Sequence, residues 1–145
     1  MGSGVLMTPV LCRVKDDPDN GLYGDCVRAC VASILDMDGD AVPHFFHDDC
    51  TGRVGNERIA AFLRPLGFAP FLVNYPGDIA RNDILDMMGV MNANVYYMLF
   101  GRTENGDHVV VCKGDKQVHN PSWIGSPLIA AGEHGYWTVM VIARS

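Results

Sequence analysis

Gly24-Asp25-Cys26-Val27-Arg28-Ala29-Cys30-Val31-Ala32-Ser33-Ile34-Leu35 is the stretch from which the fold is read. From Cys26 to Leu35 only Arg28 and Ser33 are polar. A helix that is apolar nearly all round is a buried one. Asp25 stands at its N-cap, where a carboxylate can accept the free N–H groups of the first turn. Cys26 then falls in that first turn, where the helix dipole and the unpaired N–H groups favour a thiolate. Asp38-Gly39-Asp40 is turn chemistry, so the helix ends near Asp36. A buried helix that opens on a cysteine poses a chemical question: which part of the chain brings a base to the sulfur?

Working outward, residues 5–15 are mostly apolar and read as a strand, followed by the turn-rich Lys15-Asp16-Asp17-Pro18-Asp19-Asn20-Gly21. Beyond the helix, His47-Asp48-Asp49-Cys50-Thr51-Gly52 is a polar surface loop. A second helix fits residues 56–66, with Ile59, Phe62, Leu63 and Leu66 at helical spacing and Gly67 as the stop. Residues 68–73 read as a strand. Asp78 is placed as the cap of a third helix carrying Ile79, Ile84, Leu85 and Met88. From Asn94 onward β-formers dominate. Strands are expected over residues 95–100, 108–112, 116–119 and 136–143, with Glu104-Asn105-Gly106-Asp107 as a hairpin turn. The expected fold class is α+β: a helical first part packed on a C-terminal antiparallel meander, in one domain over residues 1–145. Met1-Gly2-Ser3-Gly4 reads as a vector remnant and is left out of the fold.

The totals limit what such a domain does. With 145 residues and 48% apolar content the chain can bury a core. A net charge of −6 argues against a nucleic-acid ligand. No apolar run reaches a membrane span, and the start lacks the pattern of a signal peptide. Five cysteines (Cys12, Cys26, Cys30, Cys50 and Cys112), an odd number, point to a reducing, cytoplasmic setting rather than a disulfide framework.

His108 is the candidate base. It opens the most apolar strand of the second half, and strict alternation groups it with Val110 and Cys112. A base of this kind is oriented by a third group. Asn120 ends the next short strand, one tight turn away, and its amide oxygen can fix the imidazole tautomer.

At this point the residues resemble a known family. Asn20-Gly21-Leu22-Tyr23-Gly24-Asp25-Cys26 resembles the papain-like cysteine peptidase pattern, in which Gln-Gly precedes the nucleophile by six residues and a further Gly by two. Asn120-Pro121-Ser122-Trp123 resembles that family's Asn-Ser-Trp, whose Trp covers the Asn–His hydrogen bond. The order Cys, His, Asn and the compact length are similar to small bacterial and phage members, including bacteriocin-leader peptidases. The resemblance implies a thiol hydrolase with Cys26, His108 and Asn120 as a triad and Asn20 as an oxyanion donor. It also implies a peptide or protein substrate and no metal or cofactor. The chain departs from the pattern at Asn20 in place of Gln, Asp25 in place of a small residue, Val27 in place of an aromatic and Pro121 inserted before Ser122. His108 also follows Cys26 by 82 positions, a far shorter gap than in papain itself.

Two other readings compete. One is the same fold with a weak site, acting as a peptide-binding module. The other is a zinc-stabilised interaction domain built on Cys26, Cys30, His44, His47 and Cys50, although the paired Cys-x2-Cys knuckle is missing. For Cys30 and Cys112 the expected role is core packing. His44, His47 and Cys50 are placed in a mobile loop flanking the cleft. His119 and His134 are expected to be exposed.

Overall fold

The structure, a computed structural model, describes residues 7–145. Residues 1–4, expected to be a vector remnant, and the first residues of the expected N-terminal strand lie outside that range.

The apolar stretch forms helix α1, Cys26–Leu35, with Ala29 to Ser33 fully buried. It stops where Asp36 turns left-handed (φ 56) and returns its N–H to Ala32 and Ser33 carbonyls. Helix α2, Gly52–Leu63, continues as a short 3-10 turn over Arg64–Leu66. It begins earlier than residue 56 because Thr51 caps it, its hydroxyl accepting from the Val54 N–H. Glycines 52 and 55 disguise that first turn as loop. Gly55 has a packing reason to be bare: a Cβ there would lie 2.0 Å from the Phe46 ring. Helix α3 is Arg81–Met91, and Asp78 does not cap it; Ala80 holds that position with no side-chain bond, so Ile79 lies ahead of the helix.

Five strands follow the expected positions closely: β1 Phe68–Pro76, β2 Tyr96–Thr103, β3 Gly106–Lys113, β4 Lys116–His119 and β5 Tyr136–Arg144. They form one antiparallel sheet in the order β1-β5-β2-β3-β4. β2, β3 and β4 make the expected meander, but β5 does not extend it. It crosses back to lie between β1 and β2. The physical reason is apolarity on both faces: Trp137 and Val139 are buried on one side and Met140 on the other, which suits a central strand. β1, with Phe71 and Leu72 exposed, takes the edge.

The sheet separates two cores. On one face Met98, Val109, Val111 and Met140 pack with α1, α2 and Phe45. On the other, Leu99, Val110, Cys112 and Val139 pack with α3, Leu128 and Trp137. α1 lies across β3 and β2, which sets the helix carrying Cys26 against the strand carrying His108.

Residues 7–14 do not form a strand. They run as a strap with side-chain partners on two sides. The Val10 N–H donates to Ser33 Oγ (2.9 Å), and the Arg13 and Val14 N–H groups both donate to Asp25 Oδ1 (2.8 and 3.0 Å). On the other side, the Val10 carbonyl contacts His119 Nε2 (2.7 Å), the Cys12 N–H donates to the Pro121 carbonyl (2.9 Å), and the Trp123 indole N–H donates to the Cys12 carbonyl. The strap thus ties α1 to the end of β4. His119, expected at the surface, is half-buried by this contact, whereas His134 is exposed as expected.

Among the described residues no helix is long and apolar enough to cross a membrane.

Candidate active site

His108 and Asn120 meet as expected: Nε2 and Oδ1 are 2.8 Å apart. The surrounding bonds identify the imidazole tautomer. Asn120 Oδ1 also accepts from the Ser122 backbone N–H (3.1 Å), which can only donate, so that atom is the oxygen. The Asn120 amide nitrogen donates to the Ser126 carbonyl (2.8 Å), which agrees. His108 must therefore donate from Nε2, and Nδ1 keeps its lone pair. Burial lowers the His108 pKa below its usual value, opposed by the Asn120 bond, so the neutral ring is the resting form at neutral pH.

Cys26 sits at the first position of α1, as expected. The residue keeps part of its surface, but protein crowds the sulfur, and burial pushes the thiol up to about 11. The N–H groups of Val109, Val27 and Cys26 itself pull it down, and the Asp25 carboxylate adds to the rise. The helix N-terminus was expected to favour a thiolate; burial outweighs it, with Asp25 on the same side. Asp25 is 1% exposed and does not cap the helix. Its carboxylate turns away, to the Arg13 and Val14 N–H groups and to the Arg28 guanidinium (3.5 Å). The N–H groups at the start of α1 are consequently left without a side-chain cap.

The two halves meet at Val109. Its N–H acts on the Cys26 sulfur, its carbonyl accepts from the Cys30 thiol at 3.7 Å, and His108 precedes it in β3. No hydrogen bond joins Cys26 to His108 directly. By alternation His108 belongs with Val110 and Cys112, on the face away from α1.

Asn20 and Trp123 stand differently from what the family resemblance implies. The Asn20 amide donates to Asp17 Oδ2 (2.8 Å) within an exposed turn, and no contact joins it to Cys26. Trp123 is 75% exposed and does not cover the Asn120–His108 bond. Pro121 and the Ser122–Gly125 turn carry the indole onto the strap instead. There it lines a groove of about 560 Å³ with Pro9, Val10, Leu11, Asp36 and Met37, at the far end of α1 from Cys26.

The proposed zinc ligands do not converge. Among the described residues no group of three His, Cys, Asp or Glu side chains is arranged to hold a metal ion. His44 Nε2 instead contacts the Tyr23 carbonyl (2.7 Å), three residues before Cys26. Arg58 holds the loop around Cys50: its Nη1 donates to Asp48 Oδ1 (2.8 Å) and the Phe45 carbonyl (2.9 Å). The loop is pinned to α2 by these bonds. Cys30 and Cys112 are wholly buried in the two cores, as expected.

Sequence reading missed the strap, Asp25 as its anchor, and the nearness of Cys12 to Cys26. Asp25 carried a usable signal: a carboxylate directly before an apolar helix either caps it or is bought into a buried bond network, and only the structure separates the two. No family model, curated protein or solved structure matches the chain.

Proposed function

We propose that the protein is a papain-like thiol hydrolase that cleaves a peptide, isopeptide or amide bond. The observation that supports this reading best is the Asn120-oriented imidazole with a free Nδ1, in the strand against which the Cys26 helix packs. In the reaction, His108 Nδ1 takes the proton from the Cys26 thiol as the sulfur attacks the carbonyl carbon. The uncapped N–H groups at the start of α1 hold the oxyanion. Asn20 joins them only if its amide leaves Asp17. His108 then protonates the leaving amine. Water resolves the thioester, with His108 again as base. A catalytically weak peptide-binding module is the second reading, favoured by the high resting pKa of Cys26 and the missing Cys26–His108 bond.

A randomised peptide library incubated with wild type and with Cys26→Ser separates the two. New peptide termini, read by mass spectrometry and lost in the variant, are expected of the enzyme; capture of intact peptides by both proteins belongs to the binding module. The pH profile follows from the resting states. The base must be unprotonated, so kcat/KM falls as pH drops through the lowered His108 value, below 6.5. Cys26 holds its proton to about 11, so no alkaline fall is expected between about pH 7 and 9.

A further inference from the structure

We propose that Cys12 and Cys26 form a redox-sensitive pair, in which a disulfide between them closes the nucleophile. The strap fixes Cys12 at three points: its N–H on the Pro121 carbonyl, its carbonyl under the Trp123 indole N–H, and the next two N–H groups on Asp25 Oδ1. Asp25 directly precedes Cys26, so each cysteine neighbours one end of the 2.8 Å Arg13–Asp25 bond. Both residues keep part of their surface, unlike Cys30 and Cys112, although protein crowds the Cys26 sulfur itself. Cys12 is pushed up to about 12 by burial first, then by Cys26 and Asp25.

Cys30 is the other thiol near Cys26, and it is a poorer partner. It is fully buried and its thiol is engaged with the Val109 carbonyl. Cysteines four apart on a helix hold their Cβ atoms about 5–6 Å apart. A disulfide needs roughly 3.5–4.5 Å, so bridging them would distort α1. The strap has no helical ladder to break.

The chemistry is thiol–disulfide exchange with a small-molecule disulfide, such as oxidised glutathione. The Cys26 thiolate attacks one sulfur, the S–S bond breaks, and one glutathione thiolate leaves and takes a proton. Cys12 then attacks the Cys26 sulfur of the mixed disulfide, the second glutathione leaves, and the Cys12–Cys26 bond forms. Two protein thiols are oxidised and one glutathione disulfide is reduced to two thiols. Two thiols of high pKa are poor leaving groups, so the bridge resists reversal until a strong dithiol reductant is supplied.

Only the loss of activity on oxidation rests on the hydrolase reading; the bond itself does not. The full chain is incubated with oxidised glutathione, free thiols are blocked, and the protein is digested with trypsin without reduction. The cysteines fall on separate peptides: residues 1–13 carry Cys12, 16–28 carry Cys26, 29–53 carry Cys30 and Cys50, and 103–113 carry Cys112. The expected product is 1–13 linked to 16–28, with loss of iodoacetamide labelling at Cys26 that dithiothreitol restores. Cys30→Ser and His108→Ala keep the link, and Cys12→Ser loses it while Cys26 accumulates glutathione. Should wild type instead carry glutathione on Cys26 with Cys12 still free, or link 16–28 to 29–53, the proposal is overturned. A link that forms in a protein showing no hydrolysis would sink the hydrolase reading and leave the redox pair standing.

Discussion

Asn120 and Asp25 are the polar anchors beside His108 and Cys26, and they act in opposite senses. Asn120 Oδ1 accepts a hydrogen bond from His108 Nε2–H, is itself held by the Ser122 N–H, and leaves Nδ1 ready as an acceptor. Asp25 faces the strap rather than the reaction, and its charge works with burial to keep the thiol protonated. On the proposed reading, one half of the site is arranged for proton transfer before any substrate arrives. The other half holds the Cys26 thiol in its protonated form. The difference teaches that an ordered base and a primed nucleophile are separate features, and that a Cys–His–Asn order in the chain implies only the first.

The largest effect should come from the ordered half. His108→Ala removes the base and is expected to lower kcat on a cleaved peptide by about 10²–10⁴-fold. Asn120→Ala removes one hydrogen bond and the choice of tautomer, and is expected to cost about tenfold, from roughly 1 to 1.5 kcal/mol. Because that bond raises the His108 pKa, its loss should also move the acid limb of the profile further down. The comparison breaks if Asn120→Ala leaves both the rate and the limb where they were, since the base would then not depend on its anchor.

These two halves were also unequally legible in the chain. α1 and β4 fall where periodicity and turn chemistry put them. The tight turn between β3 and β4 brings Asn120 within reach of His108, past a register shift at Val111/Cys112 that the sequence does not show. Hydrophobic pattern carries that information for α1 and β3, which are largely buried, whereas the mostly exposed β4 is placed by the Gly114-Asp115 turn before it. The strap has no such pattern. Its bonds run from backbone N–H groups to single side chains, Asp25 and Ser33, and side-chain-to-backbone bonds leave no period in the sequence. The position of β5 was hidden for a different reason: alternation and apolarity identify a strand but not its neighbours. Trp123 shows the limit of a motif, since one inserted proline moved its ring from the expected contact to the Cys12 carbonyl.

The nucleophile half is tested by Asp25→Asn. The amide keeps an oxygen for the Arg13 and Val14 N–H groups and removes the charge, so the fold should survive. Without the carboxylate the Cys26 pKa should fall, and its alkylation rate at pH 8 should rise by up to about tenfold, the equivalent of one pKa unit. Peptide mass spectrometry of iodoacetamide-labelled protein reads this for each cysteine. An unchanged rate would mean that burial alone sets the thiol, and the contrast between the two anchors would reduce to a difference in solvent access.

The smallest effect is expected from the strap's second anchor, which touches neither half of the chemistry. Ser33 is fully buried; its hydroxyl donates to the Ala29 carbonyl at 2.7 Å and accepts from the Val10 N–H at 2.9 Å. Ser33→Ala leaves the Ala29 carbonyl in its place in the helix, but the Val10 N–H loses its partner. An unsatisfied N–H beside a buried helix costs about 1–3 kcal/mol, which lowers the urea midpoint while the slope of the transition stays the same. Catalysis should change little, because Asp25 still holds Arg13 and Val14 and so keeps Cys12 and Cys26 in place. If the midpoint falls and Cys26 labelling also changes, the strap acts on the nucleophile along its whole length. If the midpoint does not move, water satisfies Val10, and the strap's hold on α1 rests on Asp25 alone.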